Sequence, residues 1–294
     1  MNKILLTVLL AALAILMPSA LDAQELPFSD REQLRIVIHY KWGFSADIAE
    51  LNVNVKQEET ASGPQFYTSA KIATFKAWDG LFKIRDTYES RFAATPDLMP
   101  VYSHRNISEG SYWARNYFSW RNDGRTIDVK VDKQKYGHRE FEYSDKDIIR
   151  DVINLVFMIR YKGLDRMAKS TRVNYPMVMD KDLVTLSFRI IGRETKKIPG
   201  IGECRTIKTG VSVRRHAPKD ADDASDRFSL ASASDSSNMD GADFYGSEKI
   251  FIWFSDDQNH LPLYFSAPVA IGSINGRLAS YSGLKYPLAS LITP

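Results

Sequence analysis

The feature that most constrains this chain is an alternation of apolar and polar residues with a period of two, repeated in one short segment after another. "LRIVIHYKW" puts Leu34, Ile36, Ile38, Tyr40 and Trp42 on one face, with Arg35, Val37, His39 and Lys41 on the other. A strand with one buried side reads this way. "AELNVNVKQ" repeats the pattern through Ala49, Leu51, Val53 and Val55, and "QFYTSAKIATF" follows the break at Gly63-Pro64. In "LFKIRDTYESRF", Phe82, Ile84, Tyr88 and Phe92 oppose Lys83, Arg85, Glu89 and Arg91. "VYSHRNIS" and "SYWARNYFSW" flank Glu109-Gly110, and "TIDVKV" follows the Asn122-Asp123-Gly124 turn. Close turns between successive short strands predict antiparallel pairing.

Asp86 interrupts this order, because alternation places its carboxylate on the apolar face of its segment. A buried carboxylate without a partner is costly, so a basic group or several donors are expected to meet it.

One helix is predicted, over about residues 145–168. It starts near Ser144, with Asp147 three residues on, and carries Ile148, Ile149, Val152, Ile153, Val156, Phe157 and Ile159 as a broad apolar stripe. Gly163 is a candidate break within it. Strands resume in "LVTLSFRIIG", "CRTIKTGVSV", "IFIWFSDDQNHLPLYFSA" and "INGRLASYS". The predicted fold class is mainly β (α+β): a strongly curved antiparallel sheet or incomplete β-barrel, with one substantial helix packed in or against it. Residues 24–294 are expected to form a single β-rich domain. The stretch 216–246, rich in Asp, Ser and Ala and without apolar periodicity, reads as a mobile acidic loop.

The first residues carry Lys3, an apolar run from Ile4 to Met17, Pro18 and small residues leading to Ala23. This is the pattern of a signal peptide over residues 1–23, with cleavage after Ala20 as an alternative, and the run is too short to span a membrane. No later segment is long and apolar enough for a transmembrane helix. Cys204 is the only cysteine, so no cysteine at the leader junction can carry a lipid and no intramolecular disulfide can form. Export without disulfides suits a bacterial periplasm. The formal net charge of +3 offers no argument for a nucleic-acid partner.

Templates for chemistry are missing. His39, His104, His138, His216 and His260 are scattered, with no HExxH, and neither a GxSxG elbow nor a phosphate-cradling loop opens a helix. No catalytic residue, metal or cofactor is therefore predicted. Asp256 with Asp257, or Glu194 with Glu203, are the carboxylate couples available for glycoside hydrolysis, which requires a defined separation across a cleft. "SDDQNH" within the segment Ile250 to Ala267 reads instead as a hairpin tip of turn formers and exposed polar groups. Aromatic residues on both faces of some strands suggest that one face lines a cleft. Trp42, Phe44, Trp113 and Trp253 are the lining candidates. Arg85, Asp86, Arg105, Glu109, Arg160, Arg193 and Glu194 are the candidates for a polar cluster, either scaffold or head-group site.

Several motifs occur in order between Leu34 and Tyr281: "YKWGF", "IRDTYES", "EGSY", "DVINLVFMIR", "GRET" with "GECRTIK", and "IFIWFSDDQNHLPLYFSA" leading into "GSINGRLASY". Together they resemble the bacterial domain of unknown function numbered 3108. The resemblance implies an exported envelope protein built on a curved antiparallel sheet, and it brings no activity or catalytic residues. The hairpin of Trp253 and Leu261-Pro262 also resembles a strand pair of periplasmic lipoprotein carriers of the LolA/LolB type, half-barrels that hold acyl chains. The leading expectation is non-enzymatic binding of an apolar or amphipathic envelope ligand (a lipid) or a glycan. An envelope assembly protein acting through a sheet edge or the 216–246 loop is the alternative, and a hydrolase of envelope polysaccharide is the third reading.

Overall fold

The computed structural model describes residues 25–134, 137–215, 249–269 and 272–293. The expected signal peptide and the acidic stretch 216–246 lie outside them. The alternating segments become strands. β1 (Gln33–Trp42), β2 (Phe44–Thr60), β3 (Gly63–Thr74), β4 (Arg85–Ala93) and β5 (Pro100–Glu109) come first, followed by β6 (Tyr112–Trp120), β7 (Thr126–Lys133) and β8 (Gly137–Ser144). After helix α1 (Val152–Tyr161) come β9 (Arg172–Met179), β10 (Asp182–Ile198), β11 (Gly202–Arg215), β12 (Ile250–Ser255), β13 (Pro262–Pro268), β14 (Ser273–Ser282) and β15 (Leu291–Thr293). They form one antiparallel 15-stranded sheet in the order β8-β7-β6-β5-β4-β3-β2-β1-β14-β13-β12-β11-β10-β9, with β15 paired to β11.

The sheet is open, and each edge is managed separately. β8 is short and carries His138, Arg139, Glu140 and Glu142, charges that discourage another strand from adding there. On the far edge, Arg150 bridges Met177 in parallel: its amide donates to Pro176 O (3.1 Å), and its carbonyl accepts from Val178 N (2.9 Å).

That second edge explains why the helix starts later than its apolar stripe predicts. Ile149 N is committed to Gly124 O (2.9 Å) and Arg150 to β9, so residues 145–150 do not join the helix. Asp151 is the cap instead, accepting from Ile153 N (2.8 Å) and Asn154 N (3.0 Å) while Ser90 donates to its other oxygen (2.7 Å). The helix ends before Gly163, whose φ of 72° few side chains tolerate.

α1 lies within the curve, because it touches opposite walls. Leu155 and Ile159 pack with Leu186, Phe188 and Ile190 of β10, Ile207 of β11 and Phe254 of β12. Phe157 and Met158 pack with Val55 of β2, Phe66 of β3 and Phe92 of β4. Phe28 completes this second wall, its ring 4.7 Å from Phe157 and 5.0 Å from Phe66. Each fully buried ring stabilises the fold by about 1.5–3 kcal/mol relative to exposure, so the helical half of the concavity is a filled core. A third cluster lies on β1, β2, β13 and β14 around Ile36, Ile38, Leu263 and Leu278. A fourth joins the sheet's two ends: Phe118, Trp120, Ile127, Val129 and Val131 of β6 and β7 pack with Val178 of β9, with Leu183 of β10 against them. Tyr143 of β8 donates to Lys181 O (2.7 Å) between β9 and β10. The seam of the rolled sheet is thus closed by side chains where the strand ladder stops.

Candidate functional site

Registers across β4 to β7 align Tyr88 with Arg105, Arg105 with Asn116 and Asn116 with Val131. Cross-strand partners share a face, so these residues form one row on the face that also carries buried Phe118, Val129 and Trp120. Along the strands this face changes from apolar to polar. Trp120 and Ile127 stand at one end, and Asp86, Arg105, Asn116 and Lys133 stand towards the other, all buried.

The tip of the β9–β10 hairpin lies over this polar end. Asp180, at a φ of 56°, a conformation Asp tolerates better than most residues, accepts from Asn116 Nδ2 (2.8 Å), Lys133 Nζ (2.8 Å) and Arg105 Nη1 (3.4 Å). Its partial burial opposes ionisation, but the charges of Arg105 and Lys133 outweigh that and hold its carboxyl below the usual range. Arg105 also stands over the Tyr88 ring at 5.5 Å.

Asp86 behaves differently. Ser108 N donates to Oδ1 (2.9 Å) and Arg105 and Glu109 stand near, yet burial dominates and pushes its pKa up to about 6. Asp86 Oδ2, Arg105 Nε and Asn116 Oδ1 are buried without a hydrogen-bond partner among the described residues. Buried polar atoms are nearly always satisfied, so these two acceptors and one donor, in neighbouring rows of one face, can take a water molecule or the polar group of a ligand. Two carboxylates and the Glu109 carboxyl stand around two cations, an arrangement suited to a neutral hydroxyl or amide rather than a phosphate.

Among the polar candidates, the structure brings Asp86, Arg105 and Glu109 together. The expected partner of Asp86 is the Ser108 amide, with Arg105 acting through its charge. The others lie elsewhere. Arg85 bonds Asp79 (2.6 Å) and Thr74. Arg160 grips both oxygens of Glu32 (2.7 and 2.8 Å) in the core beside α1. Arg193 pairs with Asp256 (3.2 Å), and Glu194 accepts from Trp253 Nε1 (2.6 Å). Asn116, Lys133 and Asp180 were not anticipated. Alternation marks the first two, since Asn116 falls between Ala114 and Phe118 and Lys133 follows Ile127, Val129 and Val131 on a buried face.

The lining candidates separate as well. Trp42, Phe44 and Trp113 are 56%, 42% and 39% exposed, at the strand ends of the β1–β2 and β5–β6 hairpins. Trp253 is buried on the side of β12 opposite Phe254 and the helix. Tyr264 meets it edge-on at 5.3 Å, and Lys196 stands 4.1 Å from its ring centre.

"SDDQNH" is indeed a hairpin tip, but part of it is buried. Asn259 and His260 are 0% and 4% exposed. Asp257 accepts from Ser255 Oγ, Asn259 N and Ser290 N (2.8–3.0 Å). Asn259 donates to Tyr286 O and Pro287 O, and its backbone carbonyl accepts from Arg160 Nε (3.0 Å). The motif ties α1, this hairpin and the C-terminal segment together. Among the described residues, no group of three or more His, Cys, Asp or Glu is placed to hold a metal, and no helix is long and apolar enough to cross a membrane.

A rolled, open antiparallel sheet sealed along its seam by side chains defines a β-barrel-like protein. The chain belongs to the family described as protein of unknown function (DUF3108), whose model matches residues 35–279. A β-barrel-like protein of another domain of unknown function, DUF1849, from Brucella abortus, is similar at 9% identity and a TM-score of 0.50, over 87% of this chain and 98% of that one. A protein from Parabacteroides distasonis ATCC 8503, described as a "putative lipoprotein", is similar at 8% identity and a TM-score of 0.37, over 88% and 99% of the two chains. The likeness to the Brucella abortus protein is one of fold. No curated protein matches the chain.

Proposed function

We propose that this chain is an exported, non-enzymatic binding protein of the bacterial envelope, acting as one β-rich unit. Its ligand is amphipathic, with a neutral, hydroxyl-bearing head group held by Asp86, Arg105 and Asn116. The observation that carries this reading is the hydrogen-bonding capacity that those three side chains leave unused among the described residues. The leader pattern of residues 1–23 supports export. Binding is favoured over hydrolysis because the available carboxylates are engaged in holding the fold: Asp257 by the C-terminal segment, Asp256 by Arg193 and Glu194 by Trp253.

The test is native mass spectrometry of protein purified from its own cells. A copurifying hydroxylated amphiphile is expected, and it should be lost from Arg105→Met and Asn116→Leu variants that still fold. A wild-type protein that carries no ligand and takes up none from a lipid and glycan extract overturns the reading.

A further inference from the structure

The inner face of the curve beyond α1 is polar on one side and apolar on the other, and the strand registers show how the two sides join. Val55, Phe66 and Phe92 are 2%, 3% and 0% exposed and pack with Phe157 and Met158 of the helix, which marks the inward-facing positions of β2, β3 and β4. Every second residue along a strand returns to the same face. Val53 and Leu51 on β2, Ala70 and Ile72 on β3, and Tyr88 and Asp86 on β4 therefore face inward as well. Val53 stands opposite Ala70, Ala70 opposite Tyr88 and Tyr88 opposite Arg105; one rung further, Leu51 stands opposite Ile72 and Ile72 opposite Asp86. The apolar wall of β2 and β3 thus runs without a break into the polar row.

The protein's own side chains do not close this wall. Leu51, Val53 and Ile72 are half-buried in mid-strand, whereas Val55 and Phe66 on the same face are sealed by the helix. Accessible apolar surface inside a concavity is a place for an apolar guest. The facing wall has the same character. Phe254 packs in the cluster of α1, Ile252 shares its face, and Phe265 pairs with Ile252; Ile252 and Phe265 are both half-buried. Phe265 lies over its β14 partner Gly276, where a Cβ would meet the ring at 1.9 Å. Glycine lets the ring settle onto β14 instead of projecting towards β2 and β3.

The chemistry of these walls selects the class of guest. The side chains of Leu51, Val53, Ala70, Ile72, Ile252 and Phe265 carry no donor or acceptor. A glycan has hydroxyl groups along its whole length and would leave them unpaired here. An alkyl chain loses no hydrogen bond and gains from the burial of each methylene. Asp86, Arg105 and Lys133 stand to one side of the wall, on β4, β5 and β7, so a bound chain runs the other way, across β3 and β2.

We propose that the site takes a lipid and not a glycan, with the alkyl chain lying across Ala70 and Ile72 onto Val53 and Leu51. The inference rests on the head-group reading of Asp86, Arg105 and Asn116 and adds the place of the chain. Calorimetric titration of protein purified from its own cells and freed of bound lipid tests it, with octanoylglycerol, dodecanoylglycerol and maltotriose as probes. Affinity is expected to rise roughly three- to fourfold for each added methylene, and maltotriose should not bind. Leu51→Asn with Ile72→Asn should weaken dodecanoylglycerol by roughly tenfold or more and flatten the dependence on chain length; Arg105→Met should weaken both lipids alike. Ile72→Thr, which keeps the branched shape, gives the same direction of change if the double variant does not fold. Equal affinity for the two lipids, lost in Arg105→Met, overturns the inference and leaves the head-group site standing. Chain-length dependence that the wall variants retain overturns it too, as does maltotriose binding that Arg105→Met abolishes. No binding of any of the three probes overturns both readings.

Discussion

Arg160 and Arg105 are both buried, at 1% and 7% exposure, and the chain treats them in opposite ways. Arg160, in the last turn of α1, has Nη1 and Nη2 on the two oxygens of Glu32, Nε on Asn259 O, and its plane against Phe28 and Phe157. Its partners come from before β1 and after β12, so it joins segments 128 and 99 residues away. Arg105 has one long contact to Asp180, Tyr88 as both ring and side-chain hydrogen-bond partner, and an Nε without a partner among the described residues. Burying a guanidinium costs several kcal/mol unless geometry and hydrogen bonds are complete. The first network is complete and holds the helix in the curve. The second depends on a hairpin tip and leaves one donor over, which is the ground for the proposed binding site.

The largest expected effect strikes the complete network. Arg160→Met leaves the Glu32 carboxyl buried without its partner, and should lower stability by about 3–5 kcal/mol in urea unfolding. Replacing Glu32 by Leu as well should restore much of that loss, because no uncompensated charge remains. A loss below about 1 kcal/mol for the single change would place this pair among ordinary surface ion pairs and remove the contrast.

Next in size is the titration of Asp86. Its folded pKa of about 6 lies above its ordinary value of 3.8, so between those values the folded chain holds a proton that the unfolded chain has released. Stability contributed by this group therefore falls as pH rises from about 4 to about 6, and the penalty persists above that. Asp86→Asn should be more stable than wild type at pH 7, by up to about 3 kcal/mol, and nearly equal to it at pH 3.5. Melts across this range check the sign. A variant destabilised at pH 7 would mean that the Asp86 carboxylate is as fully satisfied as that of Glu32 is beside Arg160, and that no unmet capacity exists.

How far these two networks were legible in the sequence depends on whether their members obey a local period. Asp86 stood out because alternation put a carboxylate on a buried face, and Asn116 and Lys133 carry the same signal between Ala114 and Phe118 and after Val131. Asp180 carries none: a turn aspartate between two strands reads as turn chemistry, and only the rolling of the sheet brings it to β5, β6 and β7. Glu32 lies outside any periodic segment, so its pairing with Arg160 is likewise a product of the tertiary fold. The helix shows the same limit. Its apolar stripe was visible, but its start was displaced to Asp151 because Ile149 and Arg150 give their backbone groups to Gly124 and β9. Curvature, antiparallel pairing and a helix within the curve follow from patterns of two and of about 3.6 residues. Which side chains meet across the seam does not.

The smallest effect, and the one that divides the two networks most cleanly, is expected from Asp180→Asn. The amide keeps the shape of the tip, but its single acceptor oxygen can serve the Oδ1 partners Asn116 and Arg105 or the Oδ2 partner Lys133, and it no longer carries their countercharge. Because the Asp180 side chain is about 30% exposed and the tip is a hairpin end, solvent compensates part of the change, and a loss of about 1 kcal/mol at pH 7 is expected. The pH dependence should oppose that of Asp86. Asp180 has a folded pKa below its ordinary value, so its stabilisation is present above the ordinary carboxylate range and disappears as pH falls through the folded value; in Asp180→Asn that acid-side loss should be absent. Amide exchange gives the local readout: the β9–β10 tip should exchange faster in the variant, while α1, anchored by Asp151 and Arg160, keeps its protection. If Asp180→Asn costs as much as Arg160→Met, or unprotects the helix with the tip, then the tip is part of the same scaffold as the Arg160 network, and the row from Asp86 to Lys133 holds the fold rather than a ligand.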